Sequence, residues 1–264
     1  MQYKKCNLMT TAEMSRGRPR PAPTGESPPT HETENSQRYA LVSVSDKTGV
    51  VDFARVLDSL GYRIISTGGT ANTLRESGLN VVPIEEVTGN PESFDGRMKT
   101  ISFNVEGGIL YDRKNPSHIE DAHNLHVPNI EIVVCNLYPF EQTVARGASF
   151  DEVIENIDVG GPTMVRAGGK NFKNVLVVVD PSDYERVGEA LKSGGIDEDL
   201  RLELALKVFE QSSSYDGSVA QYLRKFLLLN LLGFTAQEII FRQNIKEYIM
   251  KSFRYYTLQS QKKQ

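Results

Sequence analysis

The chain has 264 residues, a formal charge of −4 and 39% hydrophobic side chains, enough for one sizeable core. Its two cysteines, Cys6 and Cys135, are too few for a disulfide framework or a thiolate metal site and suit a reducing compartment; four histidines add little case for zinc. No apolar run reaches the roughly 18 residues of a membrane span, and no secretory signal opens the chain, so a cytoplasmic, metal-free protein is expected.

Charge is unevenly spread. Residues 39–223 carry 16 basic and 28 acidic side chains, net −12, and residues 224–264 carry 8 basic and 2 acidic, net +6. An acidic body argues against nucleic acid as partner, so an anionic ligand would have to be held by locally placed cations and backbone NH groups.

Residues 1–38 hold five of twelve prolines and few apolar side chains, which predicts a disordered arm. From Tyr39 onward, apolar runs at Tyr39–Val44, Arg63–Ser66, Val81–Ile84, Ile130–Cys135 and Val175–Val179 read as buried parallel strands. Helical periods at Gly49–Leu60, Thr70–Glu76, Phe150–Asn156 and Tyr184–Lys192 fall between or after them. The alternation predicts a three-layer α/β fold, a mostly parallel sheet with helices on both faces and ligand sites at the carboxyl ends of its strands. From Asp197 the pattern is helical throughout, with a break expected near Ser212, Ser213 and Ser214. Residues 226–264 form an apolar and basic tail, read as a helical extension packed on the domain or on a second copy, with membrane-surface association as the other reading.

Three loop groups carry chemistry. Ser43-Val44-Ser45-Asp46-Lys47-Thr48-Gly49 leads from the first strand into a helix and offers hydroxyls, an ammonium and a helix N-terminus to a phosphate, or a plain N-cap to the helix. Ser66-Thr67-Gly68-Gly69-Thr70 ends the second strand in a turn whose glycines allow close approach of an anion. The third group comprises Asp95-Gly96-Arg97-Met98-Lys99-Thr100, Cys135-Asn136-Leu137-Tyr138-Pro139-Phe140, Ile157-Asp158-Val159-Gly160-Gly161-Pro162 and Arg166-Ala167-Gly168-Gly169-Lys170-Asn171.

In order from Tyr39 to Leu223, these segments resemble the IMP cyclohydrolase domain, methylglyoxal synthase-like in fold, of the bifunctional purine biosynthesis enzyme whose other half is an AICAR formyltransferase. The resemblance implies ring closure of 5-formamidoimidazole-4-carboxamide ribotide (FAICAR) to IMP and water, without cofactor or metal, by a homodimer. By the same resemblance Ser43, Ser45, Lys47, Thr67, Gly68, Gly69 and Thr70 would hold the phosphate. Arg97, Thr100, Cys135, Asn136, Gly160 and Gly161 would line the nucleotide site, and Lys99, Tyr138, Asp158 and Lys170 would surround the reacting atoms. Read singly, Asp158 is equally a helix cap, Tyr138 a core aromatic and each lysine a surface charge.

Two departures stand out. Where the family continues Lys-Thr with Leu-His-Pro and a later His, this chain has Ile101-Ser102-Phe103-Asn104-Val105-Glu106, which drops a fixed torsion and adds an acid near an anion site. After Leu223 no formyltransferase motif is recognised, so a separate AICAR formyltransferase would have to supply FAICAR. The alternatives are a nucleotide-binding module with weak catalysis and, less favoured, a methylglyoxal synthase.

Overall fold

A computed structural model describes residues 37–231, and the expectations for residues 1–36 and 232–264 lie outside them. The elements run β1 (Arg38–Val42), α1 (Val50–Ser59), β2 (Arg63–Ser66), α2 (Gly68–Glu76), β3 (Val81–Pro83), α3 (Ile84–Thr88), α4 (Phe103–Leu110), α5 (Pro116–Asn124) and β4 (Asn129–Val134). They continue with α6 (Phe140–Ala145), α7 (Phe150–Glu155), α8 (Gly160–Lys170), β5 (Leu176–Val178), α9 (Tyr184–Ser193) and α10 (Glu198–Leu231).

Because successive side chains of a strand point to opposite faces, each buried strand feeds two cores. Ala40 and Val42 of β1 pack with Ile64, Ile132, Val134 and Val178 against α1 and α9. Leu41 packs with Ile65, Val133 and Val177 against α4 and α8 on the other face. All five strands are parallel, in the order β3-β2-β1-β4-β5. The fold is therefore the three-layer α/β arrangement expected, with helices on both faces. Arg38, assigned to the arm by composition, already belongs to β1; its guanidinium donates to Leu60 O at 2.7 Å and stacks over Tyr62.

The break expected at Ser212–Ser214 is absent. α10 is one helix of 34 residues running through this stretch and past residue 225. Serine costs a helix only a few tenths of a kcal/mol per residue, and tertiary packing outweighs it. Val208 is buried against the sheet core, and Tyr222 and Phe226 against Phe140 and Val153. Ser212 itself is buried in this contact. Phe226, placed by composition in the tail, is part of that cluster.

The order of strands fixes where a ligand can sit. β1 has β2 on one side and β4 on the other, so the loops leaving β1 and β4 diverge and open a crevice at the carboxyl edge of the sheet.

Candidate active site at the carboxyl edge

A side-chain clasp closes the crevice floor. Asn136, just after β4, accepts from Ser45 N at 2.7 Å and Asp46 N at 2.9 Å through one amide oxygen, and donates to Asp46 O at 2.9 Å. Asparagine suits this because one planar amide meets donors and an acceptor at once. The plain-cap alternative for the first loop does not occur. Asp46 closes a turn onto Thr48 N and Thr48 Oγ1, at 2.9 and 2.7 Å, and α1 begins at Gly49 in a left-handed conformation without a side-chain cap. The bonds from Thr48 hold the Asp46 carboxyl below its ordinary range.

The second loop sits beside the first. Gly68 turns the chain with φ +47, and the N-cap residue Thr67 makes no side-chain cap to the first NH groups of α2. A side chain at Gly69 would meet Lys47 Nζ at 3.7 Å, so the ammonium lies over the N-terminus of α2. Thr67, Gly68, Gly69 and Lys47 thus form an open cradle suited to an anion. Thr70 has a different part from the one expected. Its buried hydroxyl donates to Val44 O at 2.9 Å and accepts from Val44 N at 3.1 Å, so it ties the two loops together and has no capacity left for a phosphate. Ser43 is half-buried, with its NH on Val134 O.

Asp158 stands at the start of α8. Its Oδ1 accepts from Gly161 N at 2.9 Å, and the backbone NH of Tyr138 also bonds the carboxylate. Burial pushes this carboxyl above its ordinary range while those two bonds pull it down. The helix-cap reading of Asp158 is therefore correct as geometry, and the cap sits beside the crevice. Both glycines that follow are sterically required: a Cβ at Gly161 would come within 2.5 Å of Asp158 Oδ2, and one at Gly160 within 2.7 Å of Thr100 Oγ1.

Arg97 and Lys99 are carried on a hairpin turn. Ser93 and Met98 exchange backbone bonds of 3.0 and 3.2 Å around Phe94, Asp95 and Gly96, all at positive φ. The Arg97 guanidinium grips Glu155 at the end of α7 with two bonds, one at 3.1 Å, and Lys99 Nζ pairs with Glu92 at 3.0 Å. Each cation is matched to a carboxylate whose position the sequence did not reveal, because one partner lies 58 residues away at the end of α7 and the other 7 residues away in the loop before the hairpin.

Two expected residues lie elsewhere. Cys135 is a core side chain packed with Leu41, Val133 and Met164, and burial pushes its thiol far above the usual range. Lys170 is exposed at the far end of α8, about 15 Å along the axis from Gly160 at 1.5 Å per residue. Within one chain it does not join Lys99, Tyr138 and Asp158. Tyr138 is 59% exposed and lines an open groove with Gln211, Tyr215 and Ser218. That groove adjoins a cleft of about 550 Å³ bordered by Ser45, Asn136, Gln142 and Asp180. The altered stretch forms the N-terminal turns of α4, capped by Ser102 through Val105 N at 3.2 Å. Burial pushes the Glu106 carboxyl there up to about 7, so at neutral pH the feared negative charge is only partial.

Comparison with known proteins agrees with this fold. Residues 49–163 match the MGS-like domain, and residues 168–263 match the AICARFT/IMPCHase bienzyme. The second match continues past Leu223, where the motif resemblance ends, through residue 263. The bifunctional purine biosynthesis protein PurH of Acetivibrio thermocellus is 50% identical over 190 residues, 71% of this chain and 37% of that protein. That of Clostridioides difficile is 48% identical over 185 residues, 70% of this chain and 36% of that protein. The chain thus spans little more than a third of these relatives. A crystal structure of ForH is 36% identical with a TM-score of 0.61, covering 70% of this chain and 97% of that one. Among the described residues no helix is long and apolar enough to cross a membrane. Sequence motifs, sheet order and relatives agree that this chain belongs to the family of the MGS-like domain and the AICARFT/IMPCHase bienzyme.

Proposed function

We propose that the chain is a cytoplasmic IMP cyclohydrolase that closes FAICAR to IMP with loss of water. The observation that carries this reading is the joining of an anion cradle to a buried carboxylate. Asn136 clasps the cradle loop after β1, and two residues on the NH of Tyr138 bonds Asp158. A ribotide held by its phosphate at Lys47 and the Gly68–Gly69 turn would reach across the crevice toward Thr100, Asp158 and Gly160. The open size of the crevice and the family membership support this substrate class.

Ring closure needs the carboxamide nitrogen to attack the formyl carbon within one molecule. The carboxamide nitrogen loses one proton and the formamide NH the other, the formyl oxygen gains negative charge and takes up both protons, and it leaves as water as the new C=N bond forms. Holding both groups in contact supplies most of the acceleration. Asp158, raised by burial, is suited to orient the carboxamide and take its proton. Lys99, once released from Glu92, is suited to stabilise the oxyanion, with Tyr138 at the mouth assisting proton movement. We retain Lys170 in the proposal as a residue that a second copy would have to supply, in keeping with the homodimer expected.

Absorbance of the purine product, with purified chain and FAICAR and no added cofactor, tests the assignment. Turnover that Lys99→Ala lowers by about 100-fold or more supports it. Binding of purine nucleotide without turnover would leave a nucleotide-binding module instead, and absence of both would overturn the reading. Loss of turnover in Lys170→Ala would show that a second copy completes the site.

A further inference from the structure

We infer that Tyr215, on α10, is a positioning residue that sets Asp158 in its working orientation. The backbone NH of Asp158 donates to the Tyr215 hydroxyl at 2.7 Å, across 57 residues of sequence. Asp158 precedes α8 by two residues, so this NH belongs to neither a helix nor a strand and has no ladder partner to fall back on.

The same helix also controls the other side of Asp158. Ser218, one turn on, donates to Glu141 Oε1 at 2.6 Å, and Phe140 meets the rings of Tyr215 and Tyr222 edge-on at 6.0 and 5.9 Å. These contacts fix the start of α6, and with it the loop whose Tyr138 NH bonds the Asp158 carboxylate. α10 therefore grips the residue from its main chain and from one of its two carboxylate donors. A phenol is protonated at neutral pH, and burial raises the pKa of Tyr215 further, so its hydroxyl accepts the NH bond through a lone pair.

Removing the hydroxyl leaves the Asp158 NH without its acceptor while the ring stays to fill the space. Freed from that anchor, the turn before α8 is able to carry the carboxyl toward water. The pKa of Asp158 would then fall toward the ordinary carboxylate range, since burial is the cause that raises it.

The kinetic arm rests on the cyclohydrolase reading; the two spectroscopic arms do not. In the full chain, amide hydrogen exchange should find the Asp158 NH protected, and fast exchange there in the unaltered protein would overturn the inference whatever the activity. In Tyr215→Phe that protection should be lost and the ¹³C titration of the Asp158 carboxyl should move to lower pH. Tyr222→Phe, in the same aromatic cluster, should change neither. With FAICAR, kcat should drop roughly 10-fold with KM within about twofold, the pattern of a misplaced catalytic group rather than a lost binding contact. Unchanged titration and exchange in Tyr215→Phe would refute the inference. Absence of turnover in the unaltered chain would instead refute the cyclohydrolase reading and leave the exchange and titration results to decide this one.

Discussion

Two parts of the candidate site are held by opposite means. The clasp between Ser45, Asp46 and Asn136 is a set of short, neutral hydrogen bonds to backbone, seated on the central strands of the sheet. The hairpin bearing Arg97 and Lys99 hangs on ion pairs whose side chains are 37–69% exposed, around a turn with three consecutive residues at positive φ. Neutral bonds to backbone are insensitive to salt, whereas exposed ion pairs are screened and worth little in stability. The lesson is a division of labour. On the proposed reading the phosphate side is built before a ligand arrives, and the cations on the other side are occupied by carboxylates that a ligand would have to displace.

The largest effect should come from the rigid side. Gly161→Ala drives a Cβ to within 2.5 Å of Asp158 Oδ2 and 3.0 Å of Leu137, so the carboxylate that accepts from Gly161 N has to shift. On the proposed reading kcat should fall by about 100-fold, because an ångström of displacement at a reacting group has that scale of cost. A steady-state assay beside a crystal structure of the variant checks it; an unshifted Asp158 with full activity would remove this carboxylate from the mechanism. Next comes Asn136→Ala, which leaves two backbone NH groups and one carbonyl of the first loop without their partner. Chemical unfolding should show a loss of about 1–2 kcal/mol, since water can replace the amide at the two exposed bonds, with weaker binding of the nucleotide phosphate.

The same contrast explains what was legible in the sequence. Strands β1 to β5 showed as apolar runs because both faces of a parallel sheet are buried, and the two strand-to-helix loops proposed to hold a phosphate stood out because glycine and hydroxyl residues cluster there. Helices α4 and α8 were hidden: their glycines at 107, 108, 160, 161, 168 and 169 dilute helical periodicity, yet Gly108 and Gly168 are there because Pro128 O and Val177 would meet a Cβ within 2.5 Å. The pairing of Arg97 with Glu155 and of Asp158 with Tyr215 lay beyond reach for another reason. Such contacts depend on how loops and helices come together in space, and neither spacing nor residue type encodes that.

A smaller effect tests the stretch that departs from the family pattern. Glu106, on the helix that follows the hairpin, is half-buried and has a carboxylate oxygen with no partner among the described residues. Its pKa rises from 4.5 to about 7, so the folded protein binds the proton more tightly than the unfolded chain. Stability from this group is present below pH 4.5 and is lost as pH rises through 7. Glu106→Gln should therefore be stabilising by about 1 kcal/mol at pH 8, after allowing for water at its half-exposed carboxyl, and close to neutral at pH 4.5. Urea unfolding at both pH values decides this. Equal effects at the two would mean that the carboxyl is solvated and ordinary.

The finest test asks whether the carboxylates on the hairpin side compete with the ligand. Glu155 is held below its ordinary pKa by the bond from Arg97, and Arg97 is raised by the same bond, so each keeps the other charged at neutral pH. An anionic substrate that uses Arg97 must first break this pair. Glu155→Gln keeps the shape and removes the competing charge, so KM for FAICAR should fall by about two- to fivefold while kcat stays unchanged, the mark of uniform binding. Added salt weakens the unaltered pair and should narrow the difference between the two proteins. A rise in KM would instead mean that Glu155 holds Arg97 in place for the ligand, and the hairpin would then belong with the clasp as a part of the site built in advance.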